Sequence, residues 1–367
     1  MIVYFIMMGL LLLLCWIMHM VSHSSSTLKI GETLVTENIE KRKKRDRGIV
    51  IFLIFFVLAF VAAFRYKVGT DFPSYYKTSN WAGKFKRGEF DDPGFTVFSL
   101  LAEFLFQGKN GAITILASIV TVALFVFTIA KHGENLTVSL LLFIFVGCFT
   151  GLFNGVRQYL AAGILFAGFH FVQEKKLIKW TLIVLLATSI HVTAILMFFV
   201  YFACNLKCDL KTVLLYIVLA ILLLFLYEPL FNLVGALKQE EINTEVGYVT
   251  RQVNILRILV QCVPMALLVF VPNSKINEDA DCKTLFNISL LNAAIAVASM
   301  NSAYFARFFI YTMCFQVLMY PKIFKKMNKD NRNIFTSLLL FFYFIFWLYE
   351  TSNSVNLNNF QWIFKYL

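Results

Sequence analysis

The sequence has few charged residues for its length. Charged residues make up 15% of the 367 residues, and hydrophobic residues make up 59%. A soluble domain carries about 25% charged residues, so this chain has too few polar side chains to cover a soluble globule. The composition therefore predicts an all-α integral membrane protein that crosses the bilayer many times.

The charges that are present are mostly positive. The 33 Lys and Arg residues exceed the 21 Asp and Glu residues and give a net charge of +12. Such an excess suggests nucleic acid binding in a soluble protein, but membrane proteins hold Lys and Arg at their cytoplasmic edges. We therefore predict that the positive charge sets the topology, and that nucleic acid is not a partner.

The sequence also lacks the common patterns of cofactor and metal sites. It contains no glycine-rich phosphate loop, no HExxH motif and no paired-cysteine zinc spacing. No internal repeat is evident, which argues against a transporter built from duplicated halves. We predict that the protein has no metal site and no cofactor. We also predict no disulfide framework, because the seven cysteines are scattered; they are Cys15, Cys148, Cys204, Cys208, Cys262, Cys282 and Cys314.

Apolar runs that span or nearly span the hydrocarbon, at about 20 residues per helix, recur along the whole chain. The basic run 41–47 follows the first apolar run, so we predict an uncleaved helix with its N-terminus outside. We predict one domain over residues 1–367, a basic cytoplasmic loop over 22–48, outer loops over 65–94 and 228–254, and an amphipathic helix over 95–106 in the outer interface. The twelve predicted spans are 2–21, 49–64, 113–130, 138–153, 158–172, 177–190, 192–204, 213–227, 255–271, 285–300, 305–320 and 334–349.

The segment 177–204 admits two interpretations, one long helix or two short helices that turn around His191. With one helix, the basic loops 207–211, 275–283 and 322–332 would all lie outside. With two helices, all three loops lie in the cytoplasm, as the positive-inside rule prefers. We therefore predict a hairpin of two short helices, with both chain termini outside the cytoplasm.

This topology gathers ionisable residues on the outer face. Clustered arginines at membrane depth favour an anion, and most naturally a phosphate. An arginine at a helix end can instead extend to the lipid headgroups. The gathered residues are Arg65, Asp71, Arg157, His191, Arg251, Arg257 and Arg307.

Structural interpretations are open for the two gathered residues that are not arginines. They also account for some of the remaining residues of the outer face. His191 is either a hydrogen-bond donor between helices or a catalytic group, and Asp71 is either a functional carboxylate or part of an Asx turn. The sequence Asp91-Asp92-Pro-Gly is interpreted as a turn. Tyr75 and its neighbour Tyr76 are interpreted as packing and interfacial residues.

Four segments resemble the EpsG-like group of Wzy-type polysaccharide polymerases, and the resemblance runs in order from about residue 49 to residue 349. The segments are FRYKVGTDFPSYY, GLFNGVRQYLAAGILFAGFHF, LLATSIHVTAILMFFVYF and YFARFFIY. The resemblance implies a glycosyltransferase of the GT-C type in the bacterial cytoplasmic (inner) membrane. Such an enzyme joins undecaprenyl-pyrophosphate-linked repeat units, as donor and acceptor, into a capsule, an exopolysaccharide or an O-antigen chain. A chain-length regulator is a candidate partner.

The resemblance also suggests roles for the outer residues. Arg65 and Asp71 match the family's Arg…Gly-Thr-Asp element, Arg157 matches its Arg-Gln at a span start, His191 its hairpin histidine and Arg307 its late arginine. Arg251 and Arg257 lie where such proteins have a large outer loop, but they match no motif. We expect His191, Arg157, Arg307 and Asp71 to be catalytic and Arg65, Arg251 and Arg257 to bind the pyrophosphate or the glycan. His191 would act as base or acceptor orienter, the arginines would neutralise the leaving pyrophosphate, and Asp71 would fix an arginine or bind sugar hydroxyls.

Two alternatives remain open at this point. One is a polysaccharide ligase or another GT-C transferase, and a metal-dependent version would use Asp71, Asp91 and Asp92. The other is a flippase or transporter of lipid-linked oligosaccharides, which would also need cations to bind a pyrophosphate. The gathering of ionisable residues on one face, instead of along a path through the membrane, favours the polymerase.

Overall fold

The protein is almost entirely helical. The computed structural model describes the backbone of residues 1–23, 34–77, 92–238, 253–300 and 305–365, together with residues 81, 83, 88 and 302. Within these residues the longer helices are α1 (Ile2–His23), α2 (Leu34–Ala63), α4 (Pro93–Leu105), α5 (Ala112–His132), α6 (Leu136–Phe145), α8 (Val156–Gly168), α10 (Leu177–Ile190), α12 (Leu210–Lys238), α13 (Ile255–Phe270), α15 (Ala280–Ala298), α17 (Gln316–Lys325) and α18 (Lys329–Asn353).

Short elements connect these helices. The short α-helices are α3 (Phe72–Tyr76), α7 (Cys148–Gly151), α9 (His170–Gln173), α11 (Met197–Cys204), α14 (Asn273–Asn277), α16 (Ile310–Met313) and α19 (Val355–Asn358). Single 3-10 turns cover Val192–Leu196, Phe305–Phe309 and Ile363–Lys365. The strands β1 (Arg65–Tyr66) and β2 (Gln361–Trp362) form one small antiparallel sheet, in which Arg65 pairs with Trp362.

Among the residues that the structure describes, four helices are long and apolar enough to cross a membrane by length and composition. They are Ile2–Val21, Lys41–Ala63, Ala112–His132 and Lys329–Asn353, and six shorter apolar helices accompany them. Large apolar side chains such as Phe104, Ile178 and Phe225 are between 78% and 80% exposed, as expected where lipid is the solvent. An all-α multi-pass membrane protein fits these features, while the number of twelve spans stays a prediction.

Side-chain contacts gather basic residues at one end of the bundle, which we call the basic face. Arg47 at the end of the basic run donates to the carbonyl of Ala130 at 3.2 Å. Lysines at the C-terminal end of α17 pair with acidic residues of other segments: Lys322 with Asp281 at 2.9 Å, Lys325 with Glu134 at 2.7 Å and Lys326, just after the helix, with Asp279 at 3.0 Å. The basic loops that the charge argument places together therefore lie together.

The predicted hairpin around His191 is confirmed. Helix α10 ends at Ile190, His191 is extended (φ −152°, ψ 115°), and a 3-10 turn followed by α11 returns the chain. The indole Nε1 of Trp180 donates across the hairpin to the carbonyl of Met197 at 3.0 Å. Beyond α11, the backbone N–H of Cys208 donates to Asn277 at 2.9 Å, beside the acidic residues of the basic face. His191 consequently lies at the opposite end of the bundle, which we call the site face.

The predicted amphipathic helix is present as α4. Its N-terminal end packs tightly on α10, because a Cβ on Gly94 would lie 2.2 Å from the Ser189 hydroxyl. Its C-terminal end leads to Gly111, whose N–H donates to the Tyr76 carbonyl at 2.7 Å. Both ends lie at the site face, so α4 runs along that face and does not cross the bundle.

Several predicted boundaries are wrong. The predicted loop 22–48 is helical from Leu34 onward because its Lys, Arg and Glu residues favour helix. The predicted span 138–153 breaks at Gly147, which has φ +93°, a conformation that glycine adopts without steric cost. The predicted span 305–320 divides into a 3-10 turn and two α-helices, and α12 continues past 227 to Lys238. Hydrophobicity located these segments but did not reveal where each helix breaks.

The two chain termini lie at the same end of the bundle, as predicted, and they meet at the site face. The amino group of Met1 donates to the carbonyl of Asn358 at 3.3 Å, and the Tyr4 hydroxyl donates to the carbonyl of Leu357 at 3.1 Å. The N–H of Ile363 donates to the carbonyl of Phe64 at 2.8 Å. The C-terminal segment therefore closes against the end of α2, a contact that the sequence did not predict.

Candidate functional site

Arg157 contacts four side chains at the site face. It is the second residue of α8, and its Nε donates to the Tyr75 hydroxyl at 2.8 Å. One Nη donates to the carboxylate of Asp92 in an ion pair. The guanidinium also lies over the rings of Trp81 and Phe95, at 5.2 and 5.8 Å from their centroids. Among the described residues the second Nη has no hydrogen bond.

The sequence interpretation did not connect Asp92 or Tyr75 with Arg157. Asp92 is only 7% exposed, and Tyr75 is only 4% exposed. Asp92 precedes Pro93 at the start of α4, but its side chain pairs with Arg157 and does not cap the helix. Burial raises the pKa of Tyr75 to about 12, so its hydroxyl stays protonated. The turn assigned to Asp92 and the packing role assigned to Tyr75 are thus incomplete, since both side chains hold Arg157.

The side chain of Asp71 contacts the N-terminus of α8 at Val156, the residue before Arg157. Its Oδ2 accepts the backbone N–H of Val156 at 3.0 Å, where the helix dipole favours negative charge. Burial raises the pKa of Asp71, although this N–H and the charges of Arg307, Arg157 and Arg65 oppose the shift. Asp71 therefore joins the loop that carries it to the helix that carries Arg157.

Steric contacts explain why the first residue of the Gly-Thr-Asp sequence is a glycine. Gly69 has φ +92°, and a Cβ there would lie 2.1 Å from the carbonyl oxygen of Phe153. Its N–H donates to the carbonyl of Asn356 at 2.9 Å, and the next N–H, from Thr70, donates to Asn154 at 2.9 Å. Only glycine permits the close approach that brings Asp71 to the N-terminus of α8.

Arg65 is enclosed by the protein at the turn that follows α2. It is fully buried, and it donates to the carbonyls of Ala62 and Val68 and to the Ser118 hydroxyl. Its guanidinium also lies 4.4 Å from the centroid of the Phe153 ring. These contacts hold the turn, and the predicted contact of Arg65 with substrate stays a prediction.

His191 lies beside the two arginines of the site. Its Nδ1 is buried and has no hydrogen-bond partner among the described residues. Burial, assisted by the positive charges of Arg157 and Arg307 and opposed by Asp92, lowers the pKa of His191 to about 4. The imidazole is therefore neutral near pH 7, so it can accept a proton or a hydrogen bond.

Arg307 belongs to the same group of charges. It lies in the 3-10 turn Phe305–Phe309, its side chain is exposed, and its charge acts on both Asp71 and His191. Its backbone carbonyl accepts the side-chain N–H of Gln158 at 2.7 Å. The structure thus brings Asp71, Arg157, His191 and Arg307 into one electrostatic neighbourhood, although they come from four distant segments.

Of the two remaining predicted arginines, one pairs with a glutamate and the other lies outside the described residues. Arg257, in the first turn of α13, binds one carboxylate oxygen of Glu350 through Nε at 2.7 Å and through one Nη. Glu350 was not singled out in the sequence. Arg251 lies outside the described residues, as does Asp91 of the metal-dependent alternative.

The site combines anion-binding and proton-accepting groups. Arg157 and Arg307 supply positive charge, and His191 supplies a neutral nitrogen. Asp71 and Asp92 hold α8 and Arg157 in place. Among the residues that the structure describes, no group of three His, Cys, Asp or Glu side chains is arranged to hold a metal ion. Such an arrangement can neutralise a phosphate-type leaving group and receive a proton from an attacking hydroxyl.

Comparisons with known proteins give one match. The model of the EpsG family matches residues 48–366, from within α2 to the end of the C-terminal segment. No curated protein and no solved structure matches the chain. The matched residues include every element of the site face that holds Asp71, Arg157, His191 and Arg307.

Proposed function

The chain belongs to the EpsG family, and on that premise we propose that it polymerises polyprenyl-pyrophosphate-linked oligosaccharide repeat units into a surface polysaccharide. It would act as a membrane glycosyltransferase of the GT-C type on the extracytoplasmic side of the bacterial cytoplasmic membrane. The observation that carries the proposal is the meeting of Arg157, His191 and Arg307 on one face of the bundle. Positive charge can neutralise the leaving pyrophosphate, and a neutral imidazole can accept the proton of the attacking hydroxyl.

In the proposed reaction, a hydroxyl oxygen of the acceptor repeat unit bonds to the anomeric carbon of the donor glycan. The bond between that carbon and the polyprenyl pyrophosphate breaks, and the pyrophosphate leaves with the electron pair. Arg157 and Arg307 would stabilise the charge that grows on the pyrophosphate. His191 would take the hydroxyl proton or orient the hydroxyl.

Substrate binding should strengthen His191 as a base. In the free protein, Arg157 and Arg307 contribute to the low pKa of His191. A bound pyrophosphate would offset these two positive charges, so the pKa of His191 should rise toward its ordinary value of about 6.5. The imidazole would then be a better proton acceptor in the complex than in the free protein.

The charges of the bundle support the proposed orientation. The basic face carries Arg47, Lys322, Lys325 and Lys326, and cytoplasmic edges of membrane proteins carry such residues. The site face and both chain termini would then be extracytoplasmic. The donor and the acceptor would both be lipid-linked, with their glycans at the site face.

The test separates catalysis from transport. Purified protein in detergent should lengthen lipid-linked repeat units, because bond formation needs no membrane gradient. Lengthening should persist in a chelator, since arginines are proposed to neutralise the pyrophosphate. Loss of lengthening in chelator, with rescue by a divalent ion, would favour the metal-dependent alternative. Folded protein that never lengthens its native substrate would instead favour the flippase. A flippase moves its substrate between the two sides of a membrane, and detergent removes those two sides.

A further inference from the structure

Three polar residues connect the elements that carry the proposed site. Gln158 follows Arg157 on α8, Thr193 lies two residues after His191, and Tyr311 lies one helical turn after Arg307. Gln158 and Tyr311 are buried, at 4% and 1% exposure. Thr193 and Tyr311 were not singled out in the sequence, and Gln158 entered only as the second residue of the Arg-Gln match.

The contacts of these residues form one connected set. The Gln158 side chain donates to the carbonyl of Arg307 at 2.7 Å, across 149 residues of chain. The hydroxyls of Thr193 and Tyr311 lie 2.8 Å apart, across 118 residues. Both bonds reach the segment 305–313, one through the Arg307 carbonyl and one through the Tyr311 hydroxyl, so three separate segments of chain are joined.

The local backbone indicates that these bonds fix the positions of side chains in addition to packing the segments together. His191 is an extended residue between a helix and a 3-10 turn, and Arg307 lies in another 3-10 turn. Such short turns do not set the position of a side chain as firmly as a long helix, because their hydrogen-bond geometry is poorer. The backbone carbonyl of Arg307 lies in one of these turns, and Gln158 supplies its hydrogen-bond partner.

We propose that Gln158, Thr193 and Tyr311 form a connecting network that sets the spacing of Arg157, His191 and Arg307. The three are positioning residues and do not touch the substrate. The proposal rests on the proposed function for its kinetic consequences, but the spacing itself is a property of the folded protein. A misplacement of about 1 Å at a reacting group can cost about 100-fold in rate, so loss of the network should lower turnover.

The kinetic test uses Tyr311→Phe with Tyr320→Phe as its matched control. Tyr320 is also fully buried, and its hydroxyl bonds to the Tyr343 hydroxyl at 2.6 Å, away from the site. Both variants lose one buried hydroxyl, so both should lower the unfolding temperature by similar amounts. Only Tyr311→Phe should lower kcat, by about 10- to 100-fold, with KM nearly unchanged. Equal kcat values for the two variants would overturn the proposal.

Thr193 gives a second test that does not depend on Tyr311→Phe being stable. Thr193→Val keeps the shape but removes the hydroxyl and should lower kcat, whereas Thr193→Ser keeps the hydroxyl and should restore most of it. The double variant Tyr311→Phe with Thr193→Val should be no slower than the slower single variant, because both remove the same bond. Equal activity of the Val and Ser variants, or additive losses in the double variant, would contradict the network.

A third measurement separates the network from the proposed function. The rate at which diethyl pyrocarbonate modifies His191, followed against pH by peptide mass spectrometry, reports its protonation without any polymerisation. Arg157, Arg307 and Asp92 are the charged groups that act on His191, so its pKa should rise in Tyr311→Phe and stay at the wild-type value in Tyr320→Phe. An unchanged pKa in Tyr311→Phe would refute the positioning. Absence of lengthening by the wild type would refute only the polymerase assignment.

Discussion

The two ends of the bundle use ion pairs in different ways. On the basic face, Lys325 and Glu134 pair with side chains that are 60% and 31% exposed. On the site face, Arg157 pairs with Asp92, whose side chain is only 8% exposed, and the same arginine bonds to a buried tyrosine. Exposed lysine pairs contribute about 0–1 kcal/mol, whereas breaking a buried pair leaves an uncompensated charge. The basic face therefore needs only charge, and the site face needs charge in a defined geometry.

The largest difference between the two faces should come from exchanging lysine and arginine. Arg157→Lys keeps the charge but loses the planar fork that reaches both Tyr75 and Asp92. We expect polymer formation to fall by about 100-fold, comparable to the loss of one transition-state donor. The reverse exchange, Lys325→Arg, should leave polymer formation unchanged. Polymer yield per folded protein checks this, and wild-type yield from Arg157→Lys would show that charge alone suffices.

Removing the acidic partner of an ion pair should lower the stability of the protein more at the site face than at the basic face. Asp92→Ala leaves Arg157 partly buried without its carboxylate and should destabilise the protein by about 2–3 kcal/mol, the value of a hydrogen bond to a charged group. Glu134→Ala removes the exposed partner of Lys325 and should cost less than about 1 kcal/mol. Thermal unfolding in detergent measures both variants. Equal losses would mean that the pair at the site face is as solvated as the pair at the basic face.

A smaller effect should appear in the pH dependence of the reaction. His191 must be unprotonated to act as a base, and its pKa in the free protein is about 4. As pH falls, kcat/KM should therefore decline only near pH 4, since it reports the free enzyme. The decline in kcat should begin at higher pH, because bound pyrophosphate offsets the charges of Arg157 and Arg307. Declines of kcat and kcat/KM at the same pH would contradict this electrostatic coupling.

The sequence predicts the basic face more completely than the site face. Loop charges alone led to the hairpin around His191, because the positive-inside rule acts on whole loops and needs no contact geometry. The pairing of Arg157 with Asp92 was missed, because the two residues are 65 positions apart and their loops are polar. An arginine in an apolar segment does require an acidic partner, but many outer carboxylates could supply it.

Two other features of the site face also escaped prediction for physical reasons. The burial of Arg65 depends on the antiparallel pairing of β1 with β2, which joins residues from opposite ends of the chain. The breaks at Gly147 and around Arg307 are local choices between α-helical and 3-10 backbone. Apolar runs predict where a helix lies, but both backbone forms bury the same apolar side chains.

The most direct test of the central claim compares two histidines, one at each face. His191 lies beside Arg157 and Arg307, whereas His170 stacks on His132 at the other end of α5, with 5.8 Å between ring centroids. The measurement is single-turnover lengthening of lipid-linked repeat units by purified His191→Ala and His170→Ala. We expect His191→Ala to slow the reaction by about 10²–10⁴-fold with substrate binding retained, and His170→Ala to match the wild type. Wild-type lengthening by His191→Ala would contradict the account.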